Sequence, residues 1–316
     1  MPDGKWIEGL TPEMSVPNAA REVLDARFKV VRHYLPLAIE KPSEDPEYVH
    51  QLRVGTRRAG AALRVFADCL PRKHLKAARL SLKLIRRAAG DARDWDVFLL
   101  GLPATKPLAS ELGKTALDFL TGYAMGERAA AQVRLVDAAA EAMDTFTKES
   151  ENLPALVHEP KGDNPPATFG DLAAHHLGEL LASLTVAAKA NPTTPTALHQ
   201  LRILSKRVRY ALEIFATCFP PVFKETVYPA VEQVQELLGD VQDATVGLTR
   251  LGGLRDRIKK VVPVEWPRLR KGFEGLMQSM RAKIPAGRKG FQKWRKEWAK
   301  LIDGLKVETA VASVTA

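Results

Sequence analysis

The stretch from His50 to Pro71, HQLRVGTRRAGAALRVFADCLP, returns from His199 to Pro220 as HQLRILSKRVRYALEIFATCFP, with 11 of 22 positions identical and no gap. The same offset of 149 residues carries Gly90-Asp91 onto Gly239-Asp240 and Asp94 onto Asp243. Self-similarity at this period implies two structural halves rather than a short-period solenoid.

Helical periodicity runs through both halves. Apolar residues recur at helical spacing from about Val16 to Glu40 (Val23, Phe28, Val31, Leu35) and stop at the turn cluster KPSEDP. Asp45-Pro46 opens the helix that carries the first copy, which is expected to end at Pro71. A third helix is expected over about 72–88, with Gly90 at its C-terminal cap and Asp91 or Asp94 starting a fourth. Residues 107–149 have no proline after Pro107 and form one very long helix, or two broken near Gly122 and Gly126. Prolines 154, 160, 165 and 166 mark a linker over about 152–167. The second half repeats the order: a helix near 169–189, the repeated helix from 196, one reaching Gly239 and one starting near Asp240. Basic helices are expected near 265–282 and 286–304. Runs that alternate as strands do are absent. The expected fold is all-α: two pseudo-symmetric four-helix bundles within 15–306, the first about 16–150 and the second about 168–306, forming one compact unit.

The repeat divides by angle. At about 100° per residue, with His50 at zero, Arg53, Arg57 and Arg64 fall within about 60° of it. Leu52, Gly55, Ala59, Leu63 and Phe66 lie opposite, so the helix buries one stripe and turns a basic row outward. The second copy places His199, Arg202, Lys206, Arg209 and Tyr210 on the row, with Glu213 where the first copy has Arg64. On the third helix Lys76, Arg79, Lys83, Arg86 and Arg87 form a matching stripe.

Charge is concentrated in the first half. The chain carries 47 Lys and Arg against 37 Asp and Glu, a net charge of +10. The 41 residues from His50 to Gly90 hold eleven Lys/Arg and one acid, Asp68, whereas His199–Gly239 holds five bases and four acids. Neighbouring like charges cost a helix a few tenths of a kcal/mol per pair, and a purely solvated face intersperses both signs. Such rows suit an anion: Arg forks grip phosphate in pairs, Lys acts as a point charge, and His is drawn into its charged form beside phosphate. No helix stands out as a reader of base edges, and the rows offer Tyr210 alone as a stacking platform. Phosphate without bases fits best, with the RNA or DNA backbone as the alternative partner.

HQLRVGTRRAGAALRVF with RRAAGDARDWDV, and HQLRILSKRVRYALEIF with LLGDVQDATV, resemble the CHAD family, the conserved histidine α-helical domain. The resemblance implies two four-helix bundles about a pseudo-two-fold, with a basic central groove or pore that binds inorganic polyphosphate. It implies contacts from His50, Arg53, Arg57 and Arg58 in the first half, and from His199, Arg202, Lys206 and Arg207 in the second. Lys76, Arg79, Lys83 and Arg87 join them by their stripe, and Arg209 by its row. Some relatives associate with polyphosphate granules, which together with the expected cytoplasmic location gives a place for the protein.

Catalytic and cofactor readings lack parts. The chain has no G-x-x-x-x-G-K-[ST], G-x-G-x-x-G or G-x-S-x-G motif. No catalytic residue, cofactor or metal is expected; a polyphosphate or nucleotide phosphohydrolase is the remaining enzyme alternative. Adjacent His175 and His176 point about 100° apart on a helix. Cys69 and Cys218 sit in apolar surroundings and read as buried free thiols. No secretory signal and no run of about 18 apolar residues is visible, so no membrane partner is expected. The C-terminal bases carry Trp266, Trp294 and Trp298 among them. These read as packing residues of amphipathic helices, or, with Arg281, Lys283, Arg288 and Lys289, as a further polyanion wall.

Overall fold

The computed structural model describes residues 5–161 and 165–314, with the side chains of Leu112 and 306–314 excepted. All regular structure among the described residues is helical. The helices are α1 (Val16–Glu40), α2 (Glu47–Val65), α3 (Arg72–Gly101), α4 (Lys106–Ala109), α5 (Glu111–Asn152), α6 (Phe169–Lys189), α7 (Pro195–Phe215), α8 (Tyr228–Val261) and α9 (Trp266–Val314). Between Asn152 and Phe169 the described residues are non-helical, and 162–164 of the expected linker lie outside the described residues.

The helices outrun the sequence expectation in three places. Gly90 does not cap α3, which continues to Gly101, and Gly239 does not cap the helix before Asp240, because α8 runs unbroken to Val261. Both glycines lie mid-helix, each with an arginine of a neighbouring helix beside it. Gly122 and Gly126 do not interrupt α5, which is one helix of 42 residues. The two expected C-terminal helices are one, α9, with Pro285 inside it. Each copy of the repeat ends slightly earlier than its proline: α2 and α7 stop at Val65 and Phe215, and a 3₁₀ turn follows at Ala67–Cys69 and Ala216–Cys218.

The chain divides into two compact units: Met1–Lys106, Leu117–Ala174 and Glu213–Cys218 form the first, and Pro107–Ala116, His175–Leu212 and Phe219–Ala316 the second. In the first unit Leu52, Ala59 and Leu63 of α2 and Phe66 at its C-terminal cap are wholly buried, as their angular clustering requires. Gly55 lets α2 close on α1: a β-carbon there would stand 3.1 Å from Val30 Cγ1. Phe28 meets Phe146 edge to face, while Phe169 contacts Phe66 and Phe215, so residues distant in sequence share one aromatic core. In the second unit α9 lies close against α8, where a β-carbon on Gly290 would come within 2.6 Å of Leu237 Cδ2. Trp294 and Trp298 stack at 5.4 Å and are almost completely buried. Their ring N–H groups donate to Ala230 O at 2.7 Å and Thr185 Oγ1 at 3.1 Å. Both are therefore packing residues, each with its polar handle satisfied.

Candidate polyanion-binding faces

In the first unit α2 and α3 exchange arginines across their junction. Arg53 leaves α2 for α3, where its Nη2 stands 3.6 Å from Asp94 and its Nε 3.5 Å from the β-carbon position of Gly90. In the opposite direction, Arg79 Nη2 donates to Leu63 O at 3.0 Å, and Arg86 Nη1 comes within 3.7 Å of the β-carbon position of Gly60. Arg64 Nη1 is 4.0 Å from that same point. Gly60 and Gly90 thus seat guanidinium groups on facing helices, at distances that a β-carbon would also allow. The carbonyl of Arg53 also receives the hydroxyl of buried Thr56 at 2.9 Å.

The rows expected from the sequence come together here, with differences in depth. Lys76, Arg79, Lys83 and Arg87 are exposed on α3, while His50, Arg53 and Arg57 are half-buried on α2. Burial is the leading cause that holds the His50 pKa below its ordinary value of 6.5. Glu47, 3.9 Å away, opposes it, and Arg93, Arg53 and Arg57 add to the depression. Arg93 escaped sequence reasoning because α3 was expected to end before it. Its signal was the heptad Arg79, Arg86 and Arg93, visible once the helix is allowed to continue.

Arg58 is a correction. It is 7% exposed, and its Nε donates to Glu213 Oε2 at 2.7 Å inside the first unit. The wholly buried Glu213 carboxylate therefore does not neutralise an outward row, as its alignment with Arg64 implied; it serves Arg58. One step of 100° around the helix separates Arg57 from Arg58, and that step crosses the boundary of the core.

α7 carries the second face. His199 and Arg207 are exposed, and Arg202, Lys206 and Arg209 are half-buried. Arg202 Nη2 approaches the β-carbon position of Gly239 at 3.9 Å, and buried Ser205 returns its hydroxyl to the Arg202 carbonyl at 3.1 Å. These contacts repeat the Arg53–Gly90 and Thr56–Arg53 arrangement. Acid stands at much the same distance here: Glu232 lies 3.7 Å from Arg209, as Asp94 lies 3.6 Å from Arg53. Tyr210 is not an outward platform but is 4% exposed, with the Arg209 guanidinium 5.1 Å from its ring centre.

Asp94 and Asp96 lie within α3 rather than at a helix start, and both pair with arginine. Asp94 faces Arg53, and Asp96 accepts from Arg128 Nε at 2.6 Å. Among the described residues no group of three His, Cys, Asp or Glu side chains is placed to hold a metal ion. His175 faces Glu179 on the surface at 3.6 Å. Arg281, Lys283, Arg288 and Lys289 are exposed on α9.

A family model described as the CHAD domain matches residues 22–252. The chain belongs to the CHAD domain family. Two solved structures are similar to this CHAD domain over most of their length. One is the CHAD domain from the plant Ricinus communis, at 24% identity, covering 91% of this chain and 95% of that one with a TM-score of 0.68. The other is PptA from Streptomyces chartreusis, at 19% identity, covering 90% and 100% with a TM-score of 0.68. At these identities the likeness establishes the all-α fold of the CHAD domain. No curated protein matches.

Proposed function

We propose that this CHAD domain binds inorganic polyphosphate and does not transform it. The carrying observation is the α2–α3 junction, where arginines seated on Gly60 and Gly90 adjoin the exposed cations of α3. The Arg79 bond to Leu63 O and the approach of Arg53 to Asp94 hold guanidinium groups in place before a ligand arrives, which lowers the ordering cost of binding. A linear string of phosphates offers a charge to each successive cation along α3, and it needs no base-reading groups. The family resemblance points to the same ligand. His199, Arg202, Lys206, Arg207 and Arg209 offer a second, more acid-tempered face on α7, so the first unit contributes most of the affinity. Long polyphosphate, including that stored in granules, is the ligand this arrangement favours.

The test titrates long-chain polyphosphate against wild type and a variant with Arg57, Lys76, Lys83 and Arg87 changed to Ala, all of them residues outside the core. The expected result is a large loss of affinity with helicity retained; equal affinity overturns the reading. Competition by RNA and by duplex DNA at equal phosphate concentration separates the nucleic-acid alternative. Phosphate release from polyphosphate with and without Mg²⁺ tests the absence of hydrolysis.

A further inference from the structure

The turn joining α8 to α9 reads Lys259-Lys260-Val261-Val262-Pro263-Val264-Glu265-Trp266. Helix–helix turns are ordinarily polar because they lie in water. Here Val261, Val262 and Val264 are 68%, 43% and 79% exposed, and Pro263 and Pro267 are exposed beside them. The tip has a defined backbone. Val262 N donates to Ile258 O at 2.9 Å, closing α8, and Glu265 N donates to Val262 O at 3.0 Å across the 3₁₀ turn Pro263–Glu265. The valines are therefore held outward by a capped turn.

A collar of cations flanks the tip. Arg257, Lys259 and Lys260 come from the end of α8, and Arg268, Arg270 and Lys271 from the start of α9, all exposed. Two of the nearby acids have arginine partners: Asp256 accepts from Arg255 at 2.8 Å and Glu265 from Arg268 at 3.0 Å. Lys259 Nζ stands 4.9 Å from the centre of the half-buried Trp266 ring. Exposed aliphatic residues, an indole and lysine and arginine side chains match the acyl boundary, the interface and the phosphate layer of an anionic bilayer.

We propose that the α8–α9 turn docks on an anionic lipid surface, with Val261, Val262 and Val264 entering the headgroup boundary while the collar engages lipid phosphates. This is surface attachment; no described helix is long and apolar enough to cross a membrane. Charge complementarity selects the lipid surface over a second copy, since two tips meeting would bring two cationic collars together. Free phosphate and polyphosphate satisfy the collar but give three exposed valines nothing to enter. The turn lies beyond residues 22–252 and shares no residue with the proposed polyphosphate faces.

The experiment sediments the full chain with vesicles of phosphatidylcholine alone and of phosphatidylcholine with phosphatidylglycerol. Binding is expected to the anionic vesicles and not to the neutral ones. Changing Val261, Val262 and Val264 to Ser is expected to weaken it roughly tenfold or more. K259E/K260E is expected to weaken it at least about fivefold per residue. Brominated lipid is expected to quench wild-type tryptophan fluorescence, and W266F to lose that quenching. Binding that ignores lipid charge, survives the valine changes with helicity intact, or leaves Trp266 unquenched overturns the proposal. The valine variant is also titrated with polyphosphate. Unchanged polyphosphate affinity is expected, and a parallel loss of both ligands overturns a separate lipid surface. Wild type that binds anionic vesicles yet ignores polyphosphate supports this proposal while overturning the polyphosphate reading.

Discussion

Replacing Glu213 with Leu strands a cation in the core of the first unit, and the structure sets the scale of the damage. The Arg58 side chain is 8% exposed and its Glu213 partner 0%, with a 2.7 Å hydrogen bond between them. Arg27, 1% exposed, donates to the Glu213 carbonyl at 3.5 Å, so the same region already holds a second buried guanidinium. Removing one partner of a buried pair costs about 3–5 kcal/mol, because the remaining charge keeps its desolvation penalty without its counterion. In a unit of this size each kcal/mol moves Tm by about 2–4 °C, so E213L should melt roughly 6–20 °C below wild type. Replacing both partners, as in R58M/E213L, removes the stranded charge and should restore most of the loss. Thermal unfolding followed by circular dichroism at 0.05 and 0.5 M NaCl provides the assay. Salt should alter the deficit little, since a buried pair is poorly screened. The folded double variant should also bind polyphosphate like wild type, because Arg58 holds the core and does not face solvent. A harmless E213L, or a double variant as unstable as the single, refutes the reasoning.

Four further outcomes follow from the same geometry. His50 has a folded pKa below its unfolded value of 6.5, so the unfolded chain binds the extra proton first; stability should fall as pH drops below about 6.5 and level off below the folded pKa, with H50Q reducing that slope. Polyphosphate should favour the charged imidazole and raise the His50 pKa, read by NMR titration with and without ligand, so affinity should rise as pH falls through that range. Gly90→Ala should be tolerated, since its β-carbon meets Arg53 Nε at an ordinary 3.5 Å and a helix-interior alanine gains up to about 1 kcal/mol, whereas Gly290→Ala, at 2.6 Å from Leu237, should cost about 1–3 kcal/mol in chemical denaturation. Burial pushes the thiols of Cys69 and Cys218 up to about 11, so thiol reagents at pH 8 should react slowly with the native chain and quickly once it is unfolded.

Much of the all-helical architecture was legible in one dimension, because helical periodicity is a local property. The buried stripe Leu52, Ala59, Leu63 and Phe66 follows from 3.6 residues per turn, and so does the outward row of His50, Arg53 and Arg57. The concentration of positive charge between His50 and Gly90 needs no coordinates at all. Helix ends were less legible, since glycine in sequence has two meanings. At Gly90 and Gly239 it stands mid-helix with an arginine from a neighbouring helix beside it, and only the folded neighbourhood separates this from a cap.

Tertiary structure decided which cations of one sequence motif are available to a ligand. Arg57 and Arg58 are chemically alike and adjacent, yet one stays at the basic face and the other is drawn into the core by a carboxylate 155 residues away. Sequence by itself determined the helices, the basic rows and the imbalance between halves, all of which depend on residues close along the chain. The fate of Arg58, the guanidinium seats on Gly60 and Gly90, and the depressed basicity of His50 depend on groups brought together through space. Burial and pairing act over a few ångströms whatever the sequence separation, so only the folded chain could assign them.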